Sequence, residues 1–561
     1  MSDDERIAAL KAALDKPTRA ALERLEGARD EYKKLYQLLL EENAKLKRGL
    51  TGQAAEKLPK NDAQLTLAVL EMLLGKQPPS QDAASDDEPK LKRGETEVTG
   101  YTRNKPSGRD ALDTANLPEV SIELLPEEVK RLGLDAFEQI GVEETRVVEH
   151  RKSSLVVLVI RRPKFKAKAV QSTQAPRPVA AAGGEVEAET ELGVRILAAS
   201  APELPIVCGL AGPGLLADSI VKRWDDHDPL NRLERIYERD GLRIAKSTLC
   251  GWHAQLAQLC DPLVRAMRKD AMQLPYLCVD ATGVLVLHPE RCKRGHFWVL
   301  VAPSLHVLFE YTQRHNKSSV AHVMRDYQGY LVADAHVVYD HLYVDGRIVE
   351  VACWFHARRY HYKALASDPE RARTALGHIG ALFRIEREIA DASRSKKEAV
   401  RRARSKPVLD KYFAWCAQQA EVVLDESPIQ KAIQYSLNHE QALRRFLDDG
   451  RLPLSNNVSE RELRREAVGR RNWLFVGSDD GAEVNAVFVS LLASCRLHDI
   501  EPREYLRDLF CLLPDWPQTR LLELAPAYWK QTAEQDDTQQ RLAANVFRRA
   551  VLELDSHPPR T

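Results

Sequence analysis

No two of the nine cysteines in this 561-residue chain form a CxxC pair; they are scattered at positions 208, 250, 260, 278, 292, 353, 416, 495 and 511. An odd, irregular set excludes a disulfide framework and points to a reducing compartment. Net charge is missing as well. Lys plus Arg and Asp plus Glu are balanced at 82 each, so no overall field draws the protein to a polyanion, and any such binding must come from local patches. No apolar run approaches the roughly 18 residues of a membrane span. The first residues, MSDDERIAAL, lack a basic and then apolar signal. The expectation is a soluble cytoplasmic protein with no membrane partner. With 44% hydrophobic residues the chain can bury at least one large core, and its length suits about three or four domains.

Leu22 to Leu50 fits a heptad, with Leu25, Tyr32, Leu39 and Leu46 at one seam position and Leu22, Arg29, Tyr36, Asn43 and Leu50 at the other. That pattern predicts a short coiled coil in a helical segment 1–75, with Asn43 fixing the register; one amphipathic helix packing on its own domain is the alternative. Residues 76–116 turn to Pro, Ser, Asp and Lys and read as a linker. A small α+β module follows over 117–169, then a second linker over 170–188. Residues 189–270 read as helical. Within them a helix from Leu230, a break at Asp240-Gly241 and a helix after Ala245 suit a helix-turn-helix, which would present Lys246, Ser247 and Thr248 to DNA; a plain helical hairpin has the same spacing. Residues 271–500 form the largest predicted domain, and 501–561 a helical tail.

From Pro275 the pattern runs three strands, a helix, a strand, a helix and a strand, the order of a ribonuclease H-like core in an α/β chain. Asp280 falls inside the first strand, where a carboxylate is costly without a partner or a metal. Asp334 ends the fourth strand at the same sheet edge; Asp340 and Asp345 compete with it but lie beyond the strand. Further on, LPLSNNVSERELRREAVGRRNWLFVGSDDGAE sets Glu460 between Asn456, Asn457 and five arginines: Arg461, Arg464, Arg465, Arg470 and Arg471. A carboxylate that suits a hard cation, beside guanidinium groups that suit phosphate, suggests phosphodiester chemistry. The alternative is a helix N-terminus capped by Asn457 or Ser459, with the arginines as a solvated face.

The order Asp280, Asp334, Glu460 comes with the segments LYQLLLEENAKLKRGL, PGLLADSIVKRWDDHDPLNRLERIYERDGLRIAKSTLCGW, VACWFHARRYHYKA and SNNVSERELRREAVGRRNWLFVGSDDGAE. Together these resemble the insertion sequence 66 family of bacterial DDE transposases, from about Tyr32 to Leu509. Three motifs depart from the family pattern. Asp280-Ala281-Thr282 stands for Asp-Glu-Thr, Asp334-Ala335-His336 for Asp-Gly-Tyr, and Ser455-Asn456-Asn457 for Asp-Asn-Asn. The family's cysteine-rich zinc-binding domain is also unmatched, because no cysteine precedes Cys208; zinc is therefore not expected.

The resemblance implies a transposase that cleaves the ends of an insertion element and joins the 3′-hydroxyls to target DNA. Two Mg²⁺ (or Mn²⁺) ions would be held by Asp280, Asp334 and Glu460, with no side-chain general base. It places His356, Arg358 and Arg359 near the site as phosphate or acid contacts. Trp473 and Phe475 would either pack in the core or stack on an unpaired base. The basic stretch from Arg394 to Lys406 is a further phosphate contact by charge, or a solvated face. The implied partners are double-stranded DNA, a second or further copy of the chain, and small accessory proteins. The implied location is the bacterial cytoplasm, on the nucleoid when DNA is bound. Two other readings fit the same residues: a DNA-binding relic that no longer cuts, and a Mg²⁺-dependent nuclease or resolvase that cuts without joining.

Overall fold

The computed structural model describes residues 117–556 other than 152–153, 168–185, 190–194 and 208, together with Thr18. The heptad segment 22–50 and the linker 76–116 lie outside the described residues, as does most of the linker 170–188. The chain divides into two compact units: one holds Met1–Asn104 and Val351–Ser455, the other Lys105–Glu350 and Asn456–Thr561. The architecture is mixed α/β with a helical C-terminal part. Among the described residues no helix is long and apolar enough to cross a membrane.

The second unit opens with β1 (Glu119–Glu123), α1 (Glu127–Leu132), the long hairpin β2 (Phe137–Arg151) and β3 (Ser154–Ala167), then β4 (Val186–Glu189) and β5 (Arg195–Ala198). β3 is the central strand. β2 pairs with it antiparallel along one edge, while β1 (parallel) and β5 (antiparallel) share the other. The run Leu155 to Ile160 is buried throughout, which explains why its pattern is a continuous apolar stretch rather than an alternation. Val147, Val156, Leu158 and Ile160 pack with Phe547 and Ala550. The module is thus held by apolar contact, with a C-terminal helix completing its core.

Three helices follow: α2 (Pro213–Trp224), α3 (Leu230–Arg239) and α4 (Lys246–Ala271). The break between α3 and α4 falls at Asp240-Gly241, where Gly241 takes φ +89, a value that favours glycine. The second sheet contains β6 (Tyr276–Val286), β7 (Lys293–Ala302), β8 (His306–Thr312), β9 (Gly329–Ala333) and β10 (Ile348–Ala352), in the spatial order β10-β9-β6-β7-β8; α5 (Lys317–Val323) joins β8 to β9. β6 to β8 form an antiparallel meander, and β9 runs parallel to β6.

An exposed β8 edge would leave backbone groups open to wrong pairing. The long helix after it in space prevents this: Ser490 Oγ accepts from Phe309 N at 2.8 Å, Ser494 Oγ accepts from Val307 N at 3.0 Å, and Ser494 Oγ donates to Val307 O at 3.1 Å.

The Val351–Ser455 unit is helical after β10: α6 (Trp354–Ala364), α7 (Pro369–Glu388), α8 (Arg394–Val400), a π-helical turn (Arg401–Ser405), α9 (Lys406–Ala420), α10 (Pro428–Asn438) and α11 (Glu440–Arg444). Trp354, Tyr412 and Phe446 are fully buried in it. Arg401 is also buried, bidentate on Glu386 at 2.9 and 2.7 Å, and its guanidinium donates to the carbonyls of Phe446, Asp449 and Leu452. Five satisfied donors remove the cost of burying that charge. The second unit resumes with α12 (Asn457–Trp473), α13 (Asp479–Leu497), α14 (Pro502–Leu512), α15 (Pro526–Ala533), α16 (Asp536–Ala544) and α17 (Val546–Ser556).

Candidate active site

The parallel pair β6 and β9 fixes the first two acids. Their register matches Cys278 with Val332, so two residues further along each chain Asp280, within β6, and Asp334, just past the end of β9, come level on neighbouring strands. Residues two apart share a face of a strand, and adjacent strands are separated by about 4.8 Å. Asp280 lies within β6, whereas Asp334 is the first residue past β9; both are half-buried. Asp280 Oδ1 accepts from Ala281 N at 2.7 Å, and Asp334 Oδ1 accepts from His336 N at 3.1 Å. The second contact closes a turn in which Ala335 takes φ +57.

Tyr339, within electrostatic reach of both acids, is buried at 2% exposure. Burial pushes its hydroxyl well above the ordinary tyrosine range, and the carboxylates of Asp334 and then Asp280 add to that shift. One tyrosine thus senses both acids. Around it, the Trp298 ring lies 6.2 Å from Tyr339 and stacks on His315 at 4.9 Å, and His315 in turn meets His336 at 5.4 Å and His296 at 5.2 Å. Burial and then His336 lower the pKa of His315, with Asp334 opposing them. This aromatic and imidazole cluster was not anticipated from sequence. Only His336, in an altered motif, gave a signal; Trp298 and His315 lie in ordinary strand and loop surroundings.

The third acid arrives on α12. Asn456, fully buried, holds the N-cap position but makes no side-chain cap. Its amide instead donates to Val279 O at 2.7 Å, which moors the start of the helix to the residue before Asp280. Asn457 is the first helical residue, so neither it nor Ser459 caps the helix. Glu460 follows in the first turn, half-buried, where a negative charge suits the positive end of the helix dipole. At the other end, Arg470 donates to Thr282 Oγ1 at 3.0 Å and to Gly283 O at 2.6 Å. Helix α12 is therefore pinned along β6 at both ends.

The five arginines divide. Arg465 engages Glu462 at 3.0 Å and Asp225 at 3.4 Å, and Arg470 is committed to β6. Arg461, Arg464 and Arg471 are exposed; Arg464 and Arg471 follow Glu460 along one stripe of the helix, at steps of four and seven. Trp473 is half-buried, with the Arg223 guanidinium 5.5 Å from its ring centre. Lys246 and Ser247 are exposed and Thr248 half-buried in the first turn of α4. His356, Arg358 and Arg359 belong to α6 in the Val351–Ser455 unit, where Arg358 lies over Tyr362 and Arg359 over Phe355. In the basic stretch 394–406, Arg394 pairs with Glu398 and Asp449, Arg404 with Glu388 and Lys406 with Asp410. Most of its charge is answered within its own unit.

Among the described residues no group of three or more His, Cys, Asp or Glu side chains is gathered tightly enough to hold a metal ion. The adjacent pair Asp280 and Asp334 does offer what a hard divalent cation needs, namely carboxylate oxygens alone at a solvent-reaching strand edge. The exposed stripe of α12 offers guanidinium groups to phosphate.

Known proteins show related chains. A family model described as Transposase IS66 family matches residues 208–484, and one described as IS66 C-terminal element matches residues 490–527. The uncharacterized protein y4hP of Sinorhizobium fredii is 27% identical over 519 residues, covering 87% of this chain and 88% of that protein. The uncharacterized protein y4qI of the same organism is 26% identical over 358 residues, 60% of this chain and 66% of its own length.

Proposed function

The chain belongs to the IS66 family of transposases, and from that premise we propose that it cleaves the ends of an insertion element and joins the freed 3′-hydroxyls to target DNA. Family membership implies a transposition-related, DNA-processing role. The finer reading is supported by the register that sets Asp280 and Asp334 level on neighbouring parallel strands, and by the mooring of Asn456, four residues before Glu460, on Val279, the residue before Asp280. The strand order β10-β9-β6-β7-β8, with β6 and β9 parallel and the rest of the meander antiparallel, supports the ribonuclease H-like reading of the core.

Asp280, Asp334 and Glu460 would hold two Mg²⁺ ions, which when bound would supply activation of an attacking oxygen and charge stabilisation of a leaving oxygen. The chain's own residues do the rest. Arg461, Arg464 and Arg471 hold backbone phosphates beside the acids. Arg470 and Asn456 keep α12 in place on β6, and Tyr339, kept protonated by its burial, presents an uncharged group within electrostatic reach of the carboxylates. The first turn of α4, with Lys246, Ser247 and Thr248, is the proposed DNA reader, and the 22–50 heptad the proposed route to a dimer.

The experiment is a Mg²⁺-dependent assay on DNA carrying the inverted repeats that flank the coding region. Cleavage and joining are expected, both lost in Asp280→Asn, Asp334→Asn and Glu460→Gln. Full activity in any one of these removes that residue from the set; binding without cleavage identifies a relic, and cleavage without joining a nuclease.

A further inference from the structure

Where α12 ends, the chain does something costly. Leu474 takes φ +64 and ψ −49 as the residue after the helix, and Phe475 N donates to Trp473 O at 2.7 Å across it. That is a γ-turn of the positive-φ kind, rare and strained in any residue with a Cβ, and such strain persists only where the surroundings impose it. Here they do. Val476 N donates to Leu285 O and Leu287 N donates to Val476 O, both at 2.8 Å, so the strand end of β6 holds the segment down just past the turn.

The strained turn pushes apolar side chains outward. Leu474 is 64% exposed and Phe475 41%, and Leu285 and Leu287 beside them are 48% and 49% exposed. Trp473, the other aromatic of this run, is engaged inward with Arg223, so it is Leu474 and Phe475 that are free to meet a ligand. The surroundings are basic. Arg464 and Arg471 are exposed along α12, and Arg294, exposed as well, is the cross-strand partner of Leu285. None of these three has an acidic partner among the described residues. A small apolar tip within unanswered guanidinium charge complements a strand of nucleic acid better than another protein surface: phosphates meet the arginines and a base meets the apolar tip.

We propose that Leu474 and Phe475 form a wedge that takes one unstacked base of a DNA strand whose phosphates Arg464 and Arg471 hold. The proposal rests on the DNA-processing reading above and assigns this turn a task within it, separate from the acids.

The test uses the full-length protein with a blunt duplex and with the same duplex ending in a short single-stranded tail that carries 2-aminopurine. The tailed duplex should bind about tenfold more tightly or better, which is the size of one base–aromatic stack, and the 2-aminopurine emission should change on binding. Leu474→Ala with Phe475→Ala should abolish both the preference and the emission change while blunt-duplex binding, carried by the arginines, persists. Phe475→Trp should retain both. Arg464→Ala with Arg471→Ala should weaken the two DNAs alike and reduce the salt slope by about two. Tight binding of blunt DNA by the unaltered protein with neither preference nor emission change overturns the wedge and leaves the DNA reading intact. Failure to bind either DNA overturns both. A drop in oligomer size on sedimentation of the Leu474→Ala, Phe475→Ala protein, with its tail preference kept, would assign the patch to a contact between copies and also overturn the wedge.

Discussion

Two sets of carboxylates in the same unit are treated in opposite ways. Asp280, Asp334 and Glu460 lie half-buried within a strand, just past a strand end and in a first helical turn, while Glu149 and Glu466 are 1% and 4% exposed. Glu149, on β2, sits against the start of α2, where its Oε1 accepts from Leu215 N at 2.7 Å and from His150 N at 2.8 Å. Burial still pushes it up to about 8, against the pull of those amides. Glu466, on α12, accepts from Asn485 Nδ2 at 3.2 Å and is pushed up to about 7 by burial. These two sealed acids are held by their neighbours, and burial without a close cationic partner drives them toward the neutral form. A half-buried acid remains within reach of water and of a cation that arrives from it. Deep burial thus sets Glu149 and Glu466 apart from the half-buried candidate catalytic acids.

The sharpest way to break that contrast is to neutralise one acid of each kind. Asp280→Asn should lower strand cleavage and transfer on the order of a thousandfold or more, since a two-metal displacement depends on that charge, yet leave the melting temperature within a few degrees. Glu149→Ala should do the reverse, leaving amides of α2 buried without an acceptor at a cost of about 3 kcal/mol or more. Gly212→Ala should cost a similar amount, because its Cβ would overlap the Glu149 carboxylate. Calorimetry and the cleavage assay, run on the same preparations, separate the two outcomes; a catalytic loss in Asp280→Asn that merely follows unfolding would erase the distinction.

The second contrast is in pH. Glu466 has its folded pKa raised from 4.5 to about 7, so its contribution to stability is fully present below about 4.5 and is lost as pH rises through about 7. The loss is about 3 kcal/mol. Glu149, raised to about 8, acts in the same direction over a window that runs about a unit higher. Glu466→Gln should flatten the portion of the stability curve that ends near pH 7 and leave the portion that continues toward pH 8, as read by denaturant unfolding across that range. An unchanged curve would mean that Glu466 is ionised in the fold.

What could be read from sequence, and what could not, follows the same division between local and distant causes. The strand carrying Asp280, the position of Asp334 at a strand end, and the helix starts at Leu230 and Lys246 depend on local periodicity and on breakers such as Gly241, so the pattern held them. The mooring of Asn456 on Val279, the loss of Arg465 to Asp225 and the inward turn of Trp473 onto Arg223 all join residues more than 170 positions apart. No local pattern encodes them. A run of five arginines looks uniform in sequence; only the fold sets apart Arg465, bonded to Asp225 and Glu462, and Arg470, bonded to β6, from the exposed Arg461, Arg464 and Arg471. Glu149 and Glu466 gave no signal either, since a buried acid and a surface acid share the same letter and their partners arrive from other elements.

The smallest effect tests the turn after the second acid, where sequence and structure meet at one residue. The family motif carries Gly at the position of Ala335, and here Ala335 adopts φ +57. A left-handed backbone costs a residue with a Cβ about 1–2 kcal/mol. Glycine would remove that strain but would lose about 0.5–1 kcal/mol through the greater freedom of the unfolded chain. Ala335→Gly should therefore stabilise the protein by only about 0.5 kcal/mol, measured as a small rise in the denaturation midpoint. The contact from His336 N to Asp334 Oδ1 at 3.1 Å depends on this turn, so easing it also loosens the orientation of Asp334. If the strain serves to aim that carboxylate, Ala335→Gly should raise stability and lower cleavage together; a gain in both would show that alanine here is only a cost, borne at a position where the edge acid needs no help.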